Sequence, residues 1–433
     1  MQVIWSSSNG IRFELNNRGV IQTIGISEEK SQPSILPDQT NVTFQLELVP
    51  PTRHLNSWRI LTYDGAMFFL NRNVDFWLRL VPILIGQYLT IQGEETHQYK
   101  DGSIRIPSAS AEEPVLEQWS KSSALTHLDQ GAKAWSESKQ CISCHTNGSY
   151  MMIRPGLTSV AGPPDASIRD FFVDELTSME EEKISSLREG IQPTQLAYLA
   201  AGLASWDLHI TGDCSQETER ALRLMFKVQS ADGSFGNDDC WPPLESSSYQ
   251  AATVAAIAVA SAPGWLSRMR SDAELGTSIQ QLEQYLKNTP PPHAYARVLL
   301  WWAEHFWPGL VKDHSTETMT AFLHNFQKKD GGWALRTFAS PEKWGNGSRA
   351  GKLRAELAFE QPESDGHMTG LVCMILRLHG IAASDPTLKR GMTWLKNHQR
   401  VSGRWWTRSL NTDRYHFITY SSTCYALSAL TLD

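Results

Sequence analysis

Two of the six cysteines in this chain of 433 residues stand three positions apart, with a histidine directly after the second: Cys141-Ile142-Ser143-Cys144-His145. C-x-x-C-H is the pattern of covalent c-type haem attachment. The two thiols can form thioethers to the porphyrin vinyl groups, and the adjoining imidazole is then held beneath the iron as its proximal ligand. The same spacing would also serve half of a zinc site or a redox-active dithiol. A four-cysteine zinc site needs a second pair, and Cys214, Cys240, Cys373 and Cys424 stand singly. A thioredoxin-type dithiol calls for a βαβ setting, whereas the pattern around Cys141 is helical. The first expectation is therefore a covalent haem on Cys141 and Cys144 with His145 as metal ligand. Met152, its neighbour Met151 or a distant histidine would be the sixth ligand, thioether sulfur raising the potential.

Such a cofactor implies maturation outside the cytoplasm, so a periplasmic or exported protein is expected if haem is attached, and a cytoplasmic one otherwise. Residues 1–25 carry no basic segment followed by an apolar one. An internal candidate lies at 67–93, where Met67, Arg72 and Arg79 precede Leu80-Val-Pro-Ile-Leu-Ile-Gly86. It reads as a signal or short membrane anchor starting at Met67, or as a buried strand. Net charge is −7 with no basic run, which speaks against a nucleic-acid partner.

Residues 1–110 alternate in the manner of strands, as in Val20-Ile-Gln-Thr-Ile24 and Val42-Thr-Phe-Gln-Leu-Glu-Leu48. Ser108-Ala-Ser-Ala-Glu-Glu-Pro114 reads as a linker. From 115 to 433 the apolar spacing is helical, with Ser215, Ser315 and Ser384-Asp-Pro at helix starts. Repeats organise this part. Gln229-Ser-Ala-Asp-Gly-Ser-Phe235 and Gln327-Lys-Lys-Asp-Gly-Gly-Trp333 share one spacing, and Gln399-Arg-Val-Ser-Gly-Arg-Trp405 repeats it with serine for aspartate. A mixed helix precedes each turn and a nearly all-apolar helix follows, as an outer and an inner layer would require. The expected fold is mainly α: about six helical hairpins closing into one α/α toroid, with a β-rich N-terminal region. Aligning Gln140 with the repeat glutamine puts Cys144 at the glycine position, so the pentapeptide 141–145 is expected to replace a repeat turn.

These Gln-x-x-Asp-Gly-x-Trp turns resemble the QW motifs of squalene–hopene cyclases and of the wider terpenoid cyclase/prenyltransferase superfamily of α/α toroids, over residues 120–433. The tail, including Asp365-Gly-His-Met-Thr-Gly370 and Gly403-Arg-Trp-Trp-Thr-Arg-Ser-Leu410, is similar to bacterial squalene-cyclase-like proteins that also carry a cytochrome-type C-x-x-C-H. The resemblance implies a terpenoid cyclase-like enzyme or an isoprenoid carrier as the alternative to a haem protein.

The superfamily's cyclases start from an Asp-x-Asp-Asp motif whose central acid protonates an alkene. The matching stretch here begins Asp365-Gly366-His367, and histidine, with an ordinary pKa near ~6.5, is too weak an acid for that step. Whether the chain is an enzyme stays open. Tyr249, His293, His367 and His416 fall at inner-helix starts, so Asp365, His367 and His416 are expected to form an acid/base or ligand cluster at the rim of an apolar cavity. Helix-start residues that satisfy backbone groups are the alternative for each. Expected partners are an apolar small molecule or a redox partner protein.

Overall fold

The computed structural model describes residues 97–432, apart from 237–240, 245–246 and 313–314, together with five strands within residues 2–70. Two compact units meet in sequence between Glu94 and Glu95. In the first, β1 (Gln2–Trp5), β2 (Ile11–Leu15) and β3 (Ile21–Ile26) form an antiparallel sheet, and β4 (Arg59–Tyr63) pairs with β5 (Ala66–Leu70). Of the alternation at 20–24, residues 21–24 thus fall on β3. The run at 42–48 lies outside the described residues. Met67 belongs to β5 opposite Thr62, while the remainder of the candidate signal, 71–93, also lies outside them.

The second unit opens with a hairpin of β6 (His97–Asp101) and β7 (Ile104–Pro107) and is otherwise mainly helical. Six helices are buried on one face only: α1 (Lys121–Lys139), α3 (Ala166–Glu181), α5 (Gln216–Lys227), α7 (Gly276–Asn288), α9 (Thr316–Phe326) and α11 (Pro386–Asn397). They alternate with six whose side chains are buried nearly all round: α2 (Asn147–Ile153), α4 (Gln192–Trp206), α6 (Ser248–Ser261), α8 (Ala294–Phe306), α10 (Gly366–Leu378) and α12 (Ile418–Thr431). Composition explains the contrast. α5 places Thr218, Ala221, Leu222 and Met225 on one stripe and charges elsewhere, whereas α6 is alanine-rich on every side. Each even-numbered helix packs on the next, α2 on α4 and so on to α12, and α12 packs back on α2. No helix among the described residues is long and apolar enough to cross a membrane.

The unit boundary differs from the sequence reading. Residues 97–110 belong to the helical unit, because Tyr99 and Ile106 pack against Ala134 and Trp135 of α1. The stretch read as a linker is fastened: buried Arg404 pairs with Glu113 at 2.7 Å and donates to the carbonyls of Pro107 and Ser108. Its small polar residues look like a linker because their partner lies nearly 300 positions away.

Each repeat turn is a clamp. The side-chain amide of Gln229, Gln327 or Gln399 donates to the carbonyl of its own turn glycine and to a carbonyl at the start of the next outer helix: Ser278, Thr387 and Ser120 respectively. The last of these ties the end of the chain to α1. Gly403 sits at φ 91°, and a Cβ there would come within 2.3 Å of the Ser123 carbonyl oxygen, so only glycine fits. The indole N–H groups of Trp333 and Trp405 donate to the carbonyls of Leu323 and Leu395, in the last turns of α9 and α11.

Candidate functional site

The pentapeptide 141–145 joins α1 to α2 and is not a repeat turn. The left-handed residue that ends α1 is Gln140, at φ 47°, whose amide bonds the Ser136 carbonyl. It is the one non-glycine residue with positive φ among the described residues, so Cys144 does not take the glycine conformation. Gln140 is exposed, unlike Gln399, which is fully buried. Asn147 does the bracing instead. Its side-chain oxygen accepts from the Ser143 amide at 2.8 Å, and its nitrogen donates to the Cys141 carbonyl at 3.0 Å and to the Ser136 hydroxyl. Gln195 of α4 donates to the Ile142 carbonyl, the Trp135 indole donates to that of Cys141, and the Ser149 hydroxyl donates to that of Cys144. Side chains thus hold the carbonyls of Cys141 and Ile142 and of Cys144 two further on.

His145 is part-buried in an aromatic corner. Phe417 stacks on its ring at 5.0 Å and Trp135 meets it edge-on at 4.8 Å. Burial lowers the imidazole pKa to about 3, which keeps it neutral. Nδ1 lies 2.8 Å from the Thr146 hydroxyl, so Nε2 is the nitrogen left for an iron, and a held second nitrogen is what orients a ligating imidazole. The donor set, two thiols outside any disulfide and this imidazole, suits covalent haem. Cys141 packs with the Tyr99–Trp135 cluster, while Cys144 is 3% exposed in the main core. Met151 and Met152 lie about one to one and a half turns into α2, where Met151 packs beside Gly202 of α4 and the Met152 carbonyl accepts from Ser205.

Asp365 and the His367 amide share the Thr407 hydroxyl at the first turn of α10, whereas His416 makes contacts of its own. Asp365 caps α10: its oxygens accept from the amides of Met368 and Leu335, which work against the burial that raises its pKa to about 6. His416 accepts from the Ser409 amide at 3.0 Å and packs against Trp406. His367 is fully buried. The Ser421 hydroxyl donates to the Ile418 carbonyl, so it accepts from His367 Nδ1 at 3.3 Å, and His367 Nε2 in turn accepts from the Tyr295 hydroxyl at 3.0 Å. Burial holds this imidazole near 3 and pushes Tyr295 far above the ordinary phenol range. Tyr425 lies edge-on to His367 at 5.2 Å, and Cys144 sits close enough to both tyrosines to feel their charge. The result is a buried Tyr295–His367–Ser421 hydrogen-bond chain in which burial keeps both the phenol and the imidazole neutral.

A cleft of about 850 Å³ lies beside the turn at 327–330, walled by Trp394, His398 and Trp406. Asp365, His367 and His416 do not line it. Among the described residues no three His, Cys, Asp or Glu side chains converge as a metal cage. Asn147, Gln195, Tyr295 and Tyr425 escaped the sequence reading, although Asn147, two positions past the motif on a helix start, carried a capping signal. Comparison with known proteins finds no matching family model and no matching curated relative.

Proposed function

We propose that this chain is an exported c-type haem protein on an α/α toroid of six helical hairpins, working in electron transfer or sensing with a redox partner protein or an apolar small molecule. The toroid reading is supported by the cycle of contacts among the six buried helices and by the clamp from Gln399 to Ser120. One observation carries the functional reading: C-x-x-C-H falls on a loop braced from three directions, with His145 Nδ1 already engaged. A haem bound there would supply one-electron or gas-binding chemistry. The chain's residues hold the loop through Asn147 and Gln195, fix the imidazole through Thr146, and shield its ring from water with Phe417 and Trp135. Kinship with the terpenoid cyclase/prenyltransferase superfamily is part of the same proposal and rests on the three Gln turns. Alkene protonation is not, because Asp365 spends its oxygens on backbone amides.

The full chain, expressed for export alongside haem-maturation machinery, should show a Soret band that stays with the polypeptide after denaturation. Cys141→Ala and Cys144→Ala together should abolish it, while His145→Ala should keep attached pigment with an altered spectrum. Wild-type protein that comes out colourless sinks the proposal. Sequencing the mature N-terminus checks export.

A further inference from the structure

Away from the loop, a groove of about 410 Å³ runs between α8 and α9, within the size range of small-molecule sites. Pro291, Leu300, Val311 and Phe322 give it apolar walls. One cation lines it. The Arg297 guanidinium lies 5.0 Å from the Trp301 ring centre and 4.4 Å from that of Phe322. Among the described residues the three buried arginines are each paired with a carboxylate, Arg154 with Asp129, Arg336 with Glu356 and Arg404 with Glu113. Arg297 has no carboxylate or other acceptor among the described residues. Two rings fix its rotamer, which presents a planar fork suited to a bidentate carboxylate. His293, also in the lining, accepts the Ala296 amide on Nδ1 at 3.0 Å, so its other nitrogen carries a proton to donate.

We propose that this groove binds a free single-chain fatty carboxylate, its head held by Arg297 and His293 and its chain lying along Leu300, Val311 and Phe322. A lone cation in an apolar slot fits one anionic head with one tail. A membrane surface would instead be met by a cluster of basic side chains. The inference does not depend on haem.

Calorimetric titration of the full chain with monomeric decanoate should show one saturable site. Decanol and acetate, each lacking one half of the ligand, should bind at least ten-fold more weakly. Arg297→Gln should weaken decanoate at least ten-fold with an unchanged thermal transition, and Arg297→Lys should fall between. Equal affinity for decanol and decanoate overturns the proposal without recourse to any variant. So does unchanged decanoate affinity in Arg297→Gln, or binding to phosphatidylglycerol vesicles without binding to decanoate.

Discussion

The loop at 140–147 and the turns at 229–235, 327–333 and 399–405 all lead from a one-faced helix to a buried one, yet they are held differently. In the turns a glutamine grips the next outer helix and a glycine lets the backbone touch it. In the loop the glutamine is exposed, the left-handed residue comes first, and asparagine gathers the chain from inside. A turn that only docks is held by one outward clamp from its own glutamine. A loop that must present two thiols and an imidazole is braced from beneath, which leaves those side chains to be placed by packing.

The largest test of this contrast is Gly403→Ala against Cys144→Ala. Alanine at 403 would force a Cβ onto the Ser123 backbone in a left-handed conformation, with an expected loss of about 3 kcal/mol or more. Removing the Cys144 sulfur leaves a small core void and should cost only about 1 kcal/mol. Denaturant unfolding of both variants measures this. Similar losses would mean that Cys144 does hold the glycine place.

The repeat turns were legible because their causes are local: a positive φ demands glycine, and an indole reaches back ten residues to a last-turn carbonyl. Alternation of mixed and apolar helices likewise announced the two layers. The loop was misread because an alignment of Gln140 on Gln399 matched residue type without its partner, and Ser120 has no counterpart for Gln140 to grip. The pairing of Tyr295 with His367 and the fastening of Glu113 by Arg404 depend on residues 72 and 291 positions apart, distances at which a single sequence carries no signal. The trio of Asp365, His367 and His416 was placed on helix starts correctly in type. Asp365 and His416 each answer a nearby amide instead of each other.

A middle-sized effect separates the two kinds of bracing directly. Asn147→Ala removes a fully buried side chain with four hydrogen bonds, and should cost about 2–3 kcal/mol. Gln399→Ala should cost a similar amount, since it loses its own buried bonds to Gly403 and Ser120. Gln140→Ala, on an exposed side chain, should stay within about 0.5 kcal/mol. A Gln140 variant as damaging as the Gln399 one would return the loop to the repeat family.

Acid should loosen the loop more than the turns, because His145, held neutral by burial, belongs to the loop itself. Burial holds His145 at about 3 in the folded chain, against an ordinary value near ~6.5 when unfolded. The unfolded state therefore binds the extra proton. The stability tied to a neutral His145 is fully present above pH ~6.5 and drains away as pH falls toward 3, by at most about 1.4 kcal/mol per pH unit. His127 and His367 titrate in the same sense, so global unfolding cannot isolate the loop. Amide exchange at Ser143 and Gly148 can, read against Gly233 and Gly331 between pH 6.5 and 5. The loop amides should lose protection faster than the turn amides, and His145→Gln should remove the excess. Parallel loss at all four amides would mean that the loop opens only with the whole unit, and that its separate bracing has no separate stability.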